Sequence, residues 1–477
     1  MSRISKALLF LGSILILCPL MRADTVDDVV AAQMKKRHIP GLSLAVIDGG
    51  AIVRAQGYGF ESTAGLSPVT ADTLFLAGSV SKSVSALGAL RLVEEGKLAL
   101  DTDVNATLRS WHVPENDFTK EKKVTLRLIL SHSAGLTVHG FGGYAVGDPV
   151  PTLVQVLDGA EPANSDPIRV DSIPGTKWRY SGGGYTVMQQ MIIDVTGEPF
   201  PKFMEETVLG PLGMRASTFD QPLPETLTAK AATGYTGTDE AVPGKWHIYP
   251  EMAAAGLWTT PSDLARFVMA VQQSYQGRSN PVISEATTRE MLTEQREGDG
   301  LGVFFTGKGA ARRFGHNGRD EGFDAFMAGY VERGQGAVVM VNCNENSHAV
   351  VKIVDAIADA YRWPDFEHWA PARPIEDKEP VVTDRLKALF EQIQTGTFDR
   401  VAFTPELAKL IDAAHAKQVA KHDPGLGSIK SFALVWHNSG QKERKYAYVA
   451  TCDNDTVIAT FTFQADGRIS EMWVGPE

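Results

Sequence analysis

The period of apolar and polar positions changes repeatedly along the chain, and each change predicts an element. Residues 26 to 37 read as a short helix. Leu42 to Ile47 and Ala51 to Tyr58 run apolar or alternate around Asp48-Gly49-Gly50, which is a hairpin signal. A polar link and the run Leu74 to Ala77 lead into Gly78 to Leu98. That stretch is rich in small and apolar residues (Val84, Ala86, Leu87, Ala89, Leu90, Val93) and predicts a helix through a core, stopped by Gly96.

From about residue 101 to 300 the pattern is mainly helical, with Gly- and Pro-punctuated loops. Helices are expected from Tyr185 to Thr196, ended by Gly197, and from Pro261 to Gln273, capped by Thr260 or Ser262. Strand-like runs return late, at Gly302 to Phe305, Arg312 to Gly315, Phe323 to Val331 and Ala337 to Asn342, before a helix from Ala349 to Tyr361. Strands at both ends imply one sheet built from the two ends of this region, with a helical insertion between them. Residues 364–380 are proline-rich and charged, as a linker is. Beyond them, helices at Asp384 to Gln394 and Pro405 to Lys421 precede four alternating runs, Ser431 to His437, Lys445 to Thr451, Val457 to Phe463 and Ile469 to Val474. Together they predict a second, small α+β domain with an antiparallel meander. The division read from the chain is therefore 24–363, a linker at 364–380, and an accessory domain at 381–477.

The first 23 residues stand apart. Arg3 and Lys6 precede an apolar run from Ala7 to Leu17, then Cys18-Pro19 and a stretch ending at Ala23, the layout of a secretory signal peptide. The run is too short to span a membrane, and a periplasmic or secreted location is expected. With Arg3, Lys6 and Arg22 removed from the 46 basic residues, 43 remain against 57 acids, a net charge of −14. That balance argues against nucleic acid or an anionic membrane as partner. Only Cys343 and Cys452 remain after residue 23, one in each expected domain, so no disulfide is expected. No histidine or cysteine spacing suits a metal, so no metal or other cofactor is expected.

The chemistry centres on Ser79-Val80-Ser81-Lys82. One helical turn puts the Ser79 hydroxyl and the Lys82 amine on the same face, near enough to share a proton. Serine is a poor nucleophile until a base takes its proton, and lysine is that base only with a lowered pKa. Burial and the positive end of the helix dipole both lower it. A Ser-x-x-Lys is weak by itself: a second lies at Ser439 to Lys442, in a polar turn with no helix after it.

Context strengthens the first. Phe75 to Lys82 (FLAGSVSK) is followed in order by Leu130 to Leu136 (LSHSAGL), Trp178 to Tyr185 (WRYSGGGY), Gly256 to Leu264 (GLWTTPSDL) and Gly315 to Gly318 (GHNG). These blocks resemble the superfamily of class C β-lactamases, D-alanyl-D-alanine carboxypeptidases and related esterases, over about residues 25 to 365. The resemblance implies a β-lactamase-like antiparallel sheet flanked by helices. It also implies roles: Ser79 acylated, Lys82 taking its proton, and Tyr180 relaying a proton to the leaving group. The N–H groups of Ser79 and Arg319 would form an oxyanion hole. His316 would line the site, and Gly182, Asn317 and Gly318 would meet the substrate, with Gly318 keeping that edge open. Tyr180 needs a lowered pKa or a tight bond to Lys82 for this. His132 reads as structural.

Two departures from the family pattern bear on substrate. Gly182 stands where the penicillin-binding branch carries an asparagine, which removes an amide able to hold an acylamino group. His316-Asn317-Gly318 stands where many β-lactamases have Lys-Thr-Gly, and a mostly neutral histidine grips a carboxylate weakly; Arg319 could supply that charge instead. Both favour an ester or a small D-amino-acid peptide or amide as substrate. A true β-lactamase, or a non-catalytic binding protein on the same scaffold, are the alternatives.

Overall fold

The computed structural model describes residues 20–237, 240–278, 280–366, 368, 373–420, 425–439, 444–453 and 456–476. Most of the predicted signal peptide, and the second Ser-x-x-Lys beyond Ser439, lie outside the described residues. Two antiparallel sheets organise what remains. Helix α1 (Leu20–Arg37) leads into β1 (Gly41–Asp48), β2 (Ala51–Ser62) and β3 (Gly65–Pro68). The strands β4 (Phe304–Thr306), β5 (Arg313–Asp320), β6 (Phe323–Tyr330) and β7 (Gly336–Val341) come from the far end of the region. Between them run α2 (Ser81–Glu94), α3 (Gly182–Thr196) and α4 (Pro261–Tyr275), and α5 (Ser347–Ala360) follows. The sheet order is β3-β2-β1-β7-β6-β5-β4, so β1 and β7 join the two ends, Leu42 opposite Val341 and Ala45 opposite Val338.

Alternation along these strands sends successive side chains to opposite faces. Leu42, Leu44 and Val46, with Ala337, Val339 and Val341, pack against Val26 and Val30 of α1 and Ala349, Ile353 and Ile357 of α5. Ala45, Ile47, Val338 and Met340 face a larger core containing Val268 and Val271 of α4 and Val84, Leu87 and Leu90 of α2. Truncating one such leucine to alanine costs about 2–5 kcal/mol, so α2 is held by its surroundings more than by its own propensity.

The helices and strands lie close to the expected places, with informative shifts at their ends. The nucleophile helix opens on a 3₁₀ turn (Gly78–Val80) and ends at Glu94, where Gly96 adopts φ +68°. Helix α3 begins three residues before the expected Tyr185, because the Ser181 hydroxyl accepts the Gly184 N–H at 2.9 Å and caps the glycines. Strand β5 runs to Asp320 rather than stopping at Gly315, since its polar, glycine-bearing second half pairs residue by residue with β6, from Arg313 opposite Tyr330 to Asp320 opposite Phe323. Pairing here overrides poor strand propensity.

The C-terminal part has a core of its own. Helices α6 (Pro380–Thr395) and α7 (Pro405–Ala420) cover a meander of β8 (Ile429–Ser439), β9 (Arg444–Cys452), β10 (Thr456–Phe463) and β11 (Ile469–Pro476). Leu386, Phe390, Tyr448 and Phe461 lie at its centre. Cys452 belongs to this core and Cys343 to the first region. Among the described residues no helix is long and apolar enough to cross a membrane.

Candidate active site

Ser79 is presented by a clamp of backbone around the start of α2. Phe75 and Leu76 pair with Thr259 and Trp258, Ala77 N–H donates to Leu257 O at 2.9 Å, and Leu257 N–H donates to Ser81 Oγ at 3.0 Å. Gly78 then turns the chain at φ +52°, and a Cβ there would fall 2.4 Å from the Arg319 nitrogen, so no other residue fits. Ser79 is the first residue after this turn and is partly exposed, while Val80 to Leu90 are all buried.

Lys82 lies one turn further, 2% exposed. Its amine donates to Ser79 Oγ at 2.9 Å and to the Ala254 carbonyl at 2.8 Å, a carbonyl carried by the block at 252–264. Burial lowers its pKa to about 7, against the opposing pull of the Asp320 carboxylate. A lysine near neutrality is half free amine at pH 7, the state that can take a proton from serine.

Tyr180 is held from both sides by one residue. Arg179 N–H donates to the His132 carbonyl at 2.7 Å and Ser181 N–H to His132 Nδ1 at 3.1 Å, while the two rings lie 4.2 Å apart. Burial keeps His132 neutral by pushing its pKa well below the ordinary value. Burial raises the Tyr180 pKa above that of an ordinary phenol, an effect the neighbouring Ser79 hydroxyl opposes. This differs from the expected lowered pKa or tight bond to Lys82. The Lys82 amine donates to Ser79 and Ala254 and sits 4.9 Å from the centre of the Tyr180 ring.

Strand alternation sorts the remaining candidates. Asn317 and Arg319 point outward and line a cavity of about 620 Å³ together with Ser79, Lys82 and Tyr180. His316 points inward and is buried beneath Phe304, ring centres 4.6 Å apart, with Nδ1 against its neighbour's carbonyl. Burial takes its pKa down to about 3, so it is a neutral support for Phe304 and offers a carboxylate no grip. Gly318 also departs from its expected use. A Cβ there would fall 1.9 Å from Ala77 O and 3.1 Å from Ser79 N, so the space it leaves admits the nucleophile turn, not substrate. Gly182 lies under the loop at 139–141, its N–H donating to His139 O at 2.9 Å, and it is absent from the cavity wall. Arg319 reaches the cavity, but its guanidinium is held by both oxygens of buried Asp324, at 2.7 and 2.9 Å, and by Ser347 Oγ at 3.0 Å.

Most of the remaining wall residues escaped the sequence reading. His139, Phe141, Trp178 and Phe304 bring rings to the cavity, with Gly140 between the first two. Trp178 is fixed by its indole N–H donating to buried Asp299 at 2.6 Å; burial raises that carboxyl to about 7. Trp178 was visible within a block, whereas a loop folding over a helix start leaves no local signature. Among the described residues no group of three or more His, Cys, Asp or Glu side chains could hold a metal.

Comparison with known proteins identifies the family and the fold. The sequence model of the family described as Beta-lactamase matches residues 26–362. Curated relatives include Protein flp of Staphylococcus aureus (strain N315), 24% identical over 69% of this chain and 64% of that protein, and a Beta-lactamase of Pseudomonas fluorescens, 30% identical over 51% and 63%. A Teichoic acid D-alanine hydrolase of Staphylococcus aureus is 26% identical over 54% and 61%. This chain thus spans about three-fifths of the length of the curated relatives it matches. Among solved structures, the octameric penicillin-binding protein homologue from Pyrococcus abyssi matches with a TM-score of 0.61 at 19% identity, covering 95% of this chain and 98% of that one. D-alanine carboxypeptidase AmpC from Burkholderia cenocepacia matches at 0.59 and 22%, covering 72% and 100%. With its family model matched across the whole first region and the same fold in both solved structures, the chain belongs to the Beta-lactamase family of serine hydrolases.

Proposed function

We propose that this chain is an exported serine hydrolase that cleaves an ester, or a small D-amino-acid amide or peptide, through an acyl-enzyme on Ser79. The observation that carries the reading is the buried Lys82 amine, 2.9 Å from Ser79 Oγ with its pKa near 7. As Oγ attacks the carbonyl carbon, Lys82 takes the hydroxyl proton. The N–H groups of Ser79 and Arg319 receive the developing oxyanion. The leaving group departs with a proton passed through Tyr180, whose raised pKa suits it to handing protons along hydrogen bonds while staying neutral. Water then attacks the acyl-enzyme by the reverse route. No step needs a metal or organic cofactor.

The electrostatics of the wall favour substrates without a carboxylate beside the scissile bond. His316 is neutral and Arg319 is neutralised by Asp324, so neither equals the free lysine that a Lys-Thr-Gly would bring. The name of one relative, a Teichoic acid D-alanine hydrolase, is in keeping with an ester substrate. Residues 381–477 act in this reading as an accessory domain tethered by 364–380, and export follows the signal at 1–23.

Intact mass after incubation with a fluorophosphonate, for wild type and Ser79→Ala together, tests the proposal. One adduct on wild type and none on the variant is expected; a folded wild type without an adduct would refute it. Comparison of p-nitrophenyl esters, D-peptides and nitrocefin then ranks the substrates, with esters first. A chain lacking 375–477 is expected to keep the adduct.

A further inference from the structure

An oxyanion hole made of Ser79 and Arg319 depends on the register between two segments about 240 residues apart, and that register is enforced at close quarters. Gly78 approaches the Arg319 backbone and Gly318 approaches Ala77 so tightly that neither position has room for a Cβ. The hydrogen bond spanning this approach runs from Gly78 N–H to Asp320 Oδ2, at 3.1 Å. Asp320 immediately follows Arg319, and Gly78 immediately precedes Ser79. The carboxylate is 4% exposed, and its other oxygen, Oδ1, has no hydrogen-bond partner. A buried carboxyl with half its capacity unmet costs stability. It also lines the cavity beside Lys82, on whose amine it acts electrostatically, so the comparison with asparagine below separates its charge from its hydrogen bond.

We propose, on the strength of the hydrolase reading above, that Asp320 is a positioning residue: by accepting the Gly78 N–H it sets the Ser79 N–H against the Arg319 N–H. The Ala77–Gly78 peptide is pinned at its nitrogen. Gly78 is thereby held at φ +52°, and the orientation of the next peptide, which carries the Ser79 N–H, is set. Released from that acceptor, Gly78 has the conformational freedom of any glycine and the turn loses its alignment. Asp320 touches neither nucleophile nor oxyanion in this scheme and works through the backbone of both donors.

Asp320→Leu, which keeps the branching of the side chain and removes the acceptor, is compared with Asp320→Asn, whose amide oxygen can still accept. Asp320→Ala is made in parallel in case leucine prevents folding. The readouts are kcat and KM on a neutral p-nitrophenyl ester, the melting temperature, and the affinity for phenylboronic acid, whose tetrahedral serine adduct places an oxygen in the oxyanion hole. Loss of alignment should lower kcat about a hundredfold with KM within threefold, and weaken the boronate by the same factor. Asp320→Asn should stay within about threefold of wild type in both. Boronate affinity unchanged in the leucine or alanine variant would overturn the assignment, as would an asparagine variant as impaired as these. A wild type that takes neither fluorophosphonate nor boronate overturns the hydrolase reading and this role with it. A wild type that takes both, matched by the variants, overturns this role alone.

Discussion

If Lys82 is the base, its depressed pKa is the largest single contribution of the fold to reactivity, and its size can be worked out. An ordinary lysine, at about 10.4, is free amine in fewer than about one molecule in a thousand at pH 7. With the pKa lowered to about 7, half the molecules carry the amine. Burial thus raises the population of free amine by about 10³, roughly 4 kcal/mol in population, against which stands the weaker basicity of an amine with a lower pKa. The rate of Ser79 acylation should therefore rise with pH to a midpoint near 7 and fall about tenfold per unit below it. Lys82→Arg, which keeps a cation and cannot release its proton, should lose about a thousandfold or more at every pH. The assay is the pre-steady-state burst with a p-nitrophenyl ester from pH 5 to 9, corrected for the fraction of Ser79 titratable by fluorophosphonate. A flat wild-type profile, a midpoint above pH 9, or an arginine variant within tenfold of wild type would refute the reasoning.

Other consequences are open to measurement. Tyr180→Phe should slow hydrolysis of alkyl esters, whose alkoxide must be protonated to leave, by about 10²–10⁴, while p-nitrophenyl esters change far less; equal effects on both would remove Tyr180 from the leaving-group path. Gly318→Ala forces a Cβ to within 1.9 Å of Ala77 O, and should cost about 1–3 kcal/mol in a denaturant titration as well as most of the activity. Glu251 is 0% exposed with both oxygens unpartnered, and burial raises its pKa to about 8. The folded chain then holds a proton that the unfolded chain releases above about pH 4.5, so stability should fall by about 3 kcal/mol between pH 5 and 8. In Glu251→Gln that slope should flatten, and urea titrations at both pH values would show an unchanged slope if the inference is wrong.

Much of this arrangement was legible in the residues because its causes are local. The run after Gly78 is rich in small and apolar residues, as a helix through a core is, and the three-residue spacing puts Ser79 and Lys82 on one face. The hairpin at Asp48-Gly49-Gly50 and the C-terminal meander likewise follow from alternation and turn chemistry. Where the reading departed from the structure, the cause lay in packing between distant segments. Gly318 reads locally as a space beside a strand, and nothing near it in sequence says that Ala77 fills that space. His316 sits in a motif that suggests contact with substrate, yet the pleat and Phe304 bury it behind the cavity wall. Nothing in the sequence singles out Glu251, Asp299 or Asp320, since burial of a charge leaves no trace in composition.

The pairing of β1 with β7 has a bearing on how the molecule comes into being. The strand that begins the sheet must wait for one nearly three hundred residues later, and the segment that faces Ser79 arrives almost as late. Contacts of such long range are slow to form, because loop closure must precede any reward from pairing. A chain still emerging from the ribosome therefore carries its serine long before it has a site. On the proposed reading the oxyanion hole is complete only once β5 lies against the nucleophile turn, and fragments ending before residue 313 should take no fluorophosphonate.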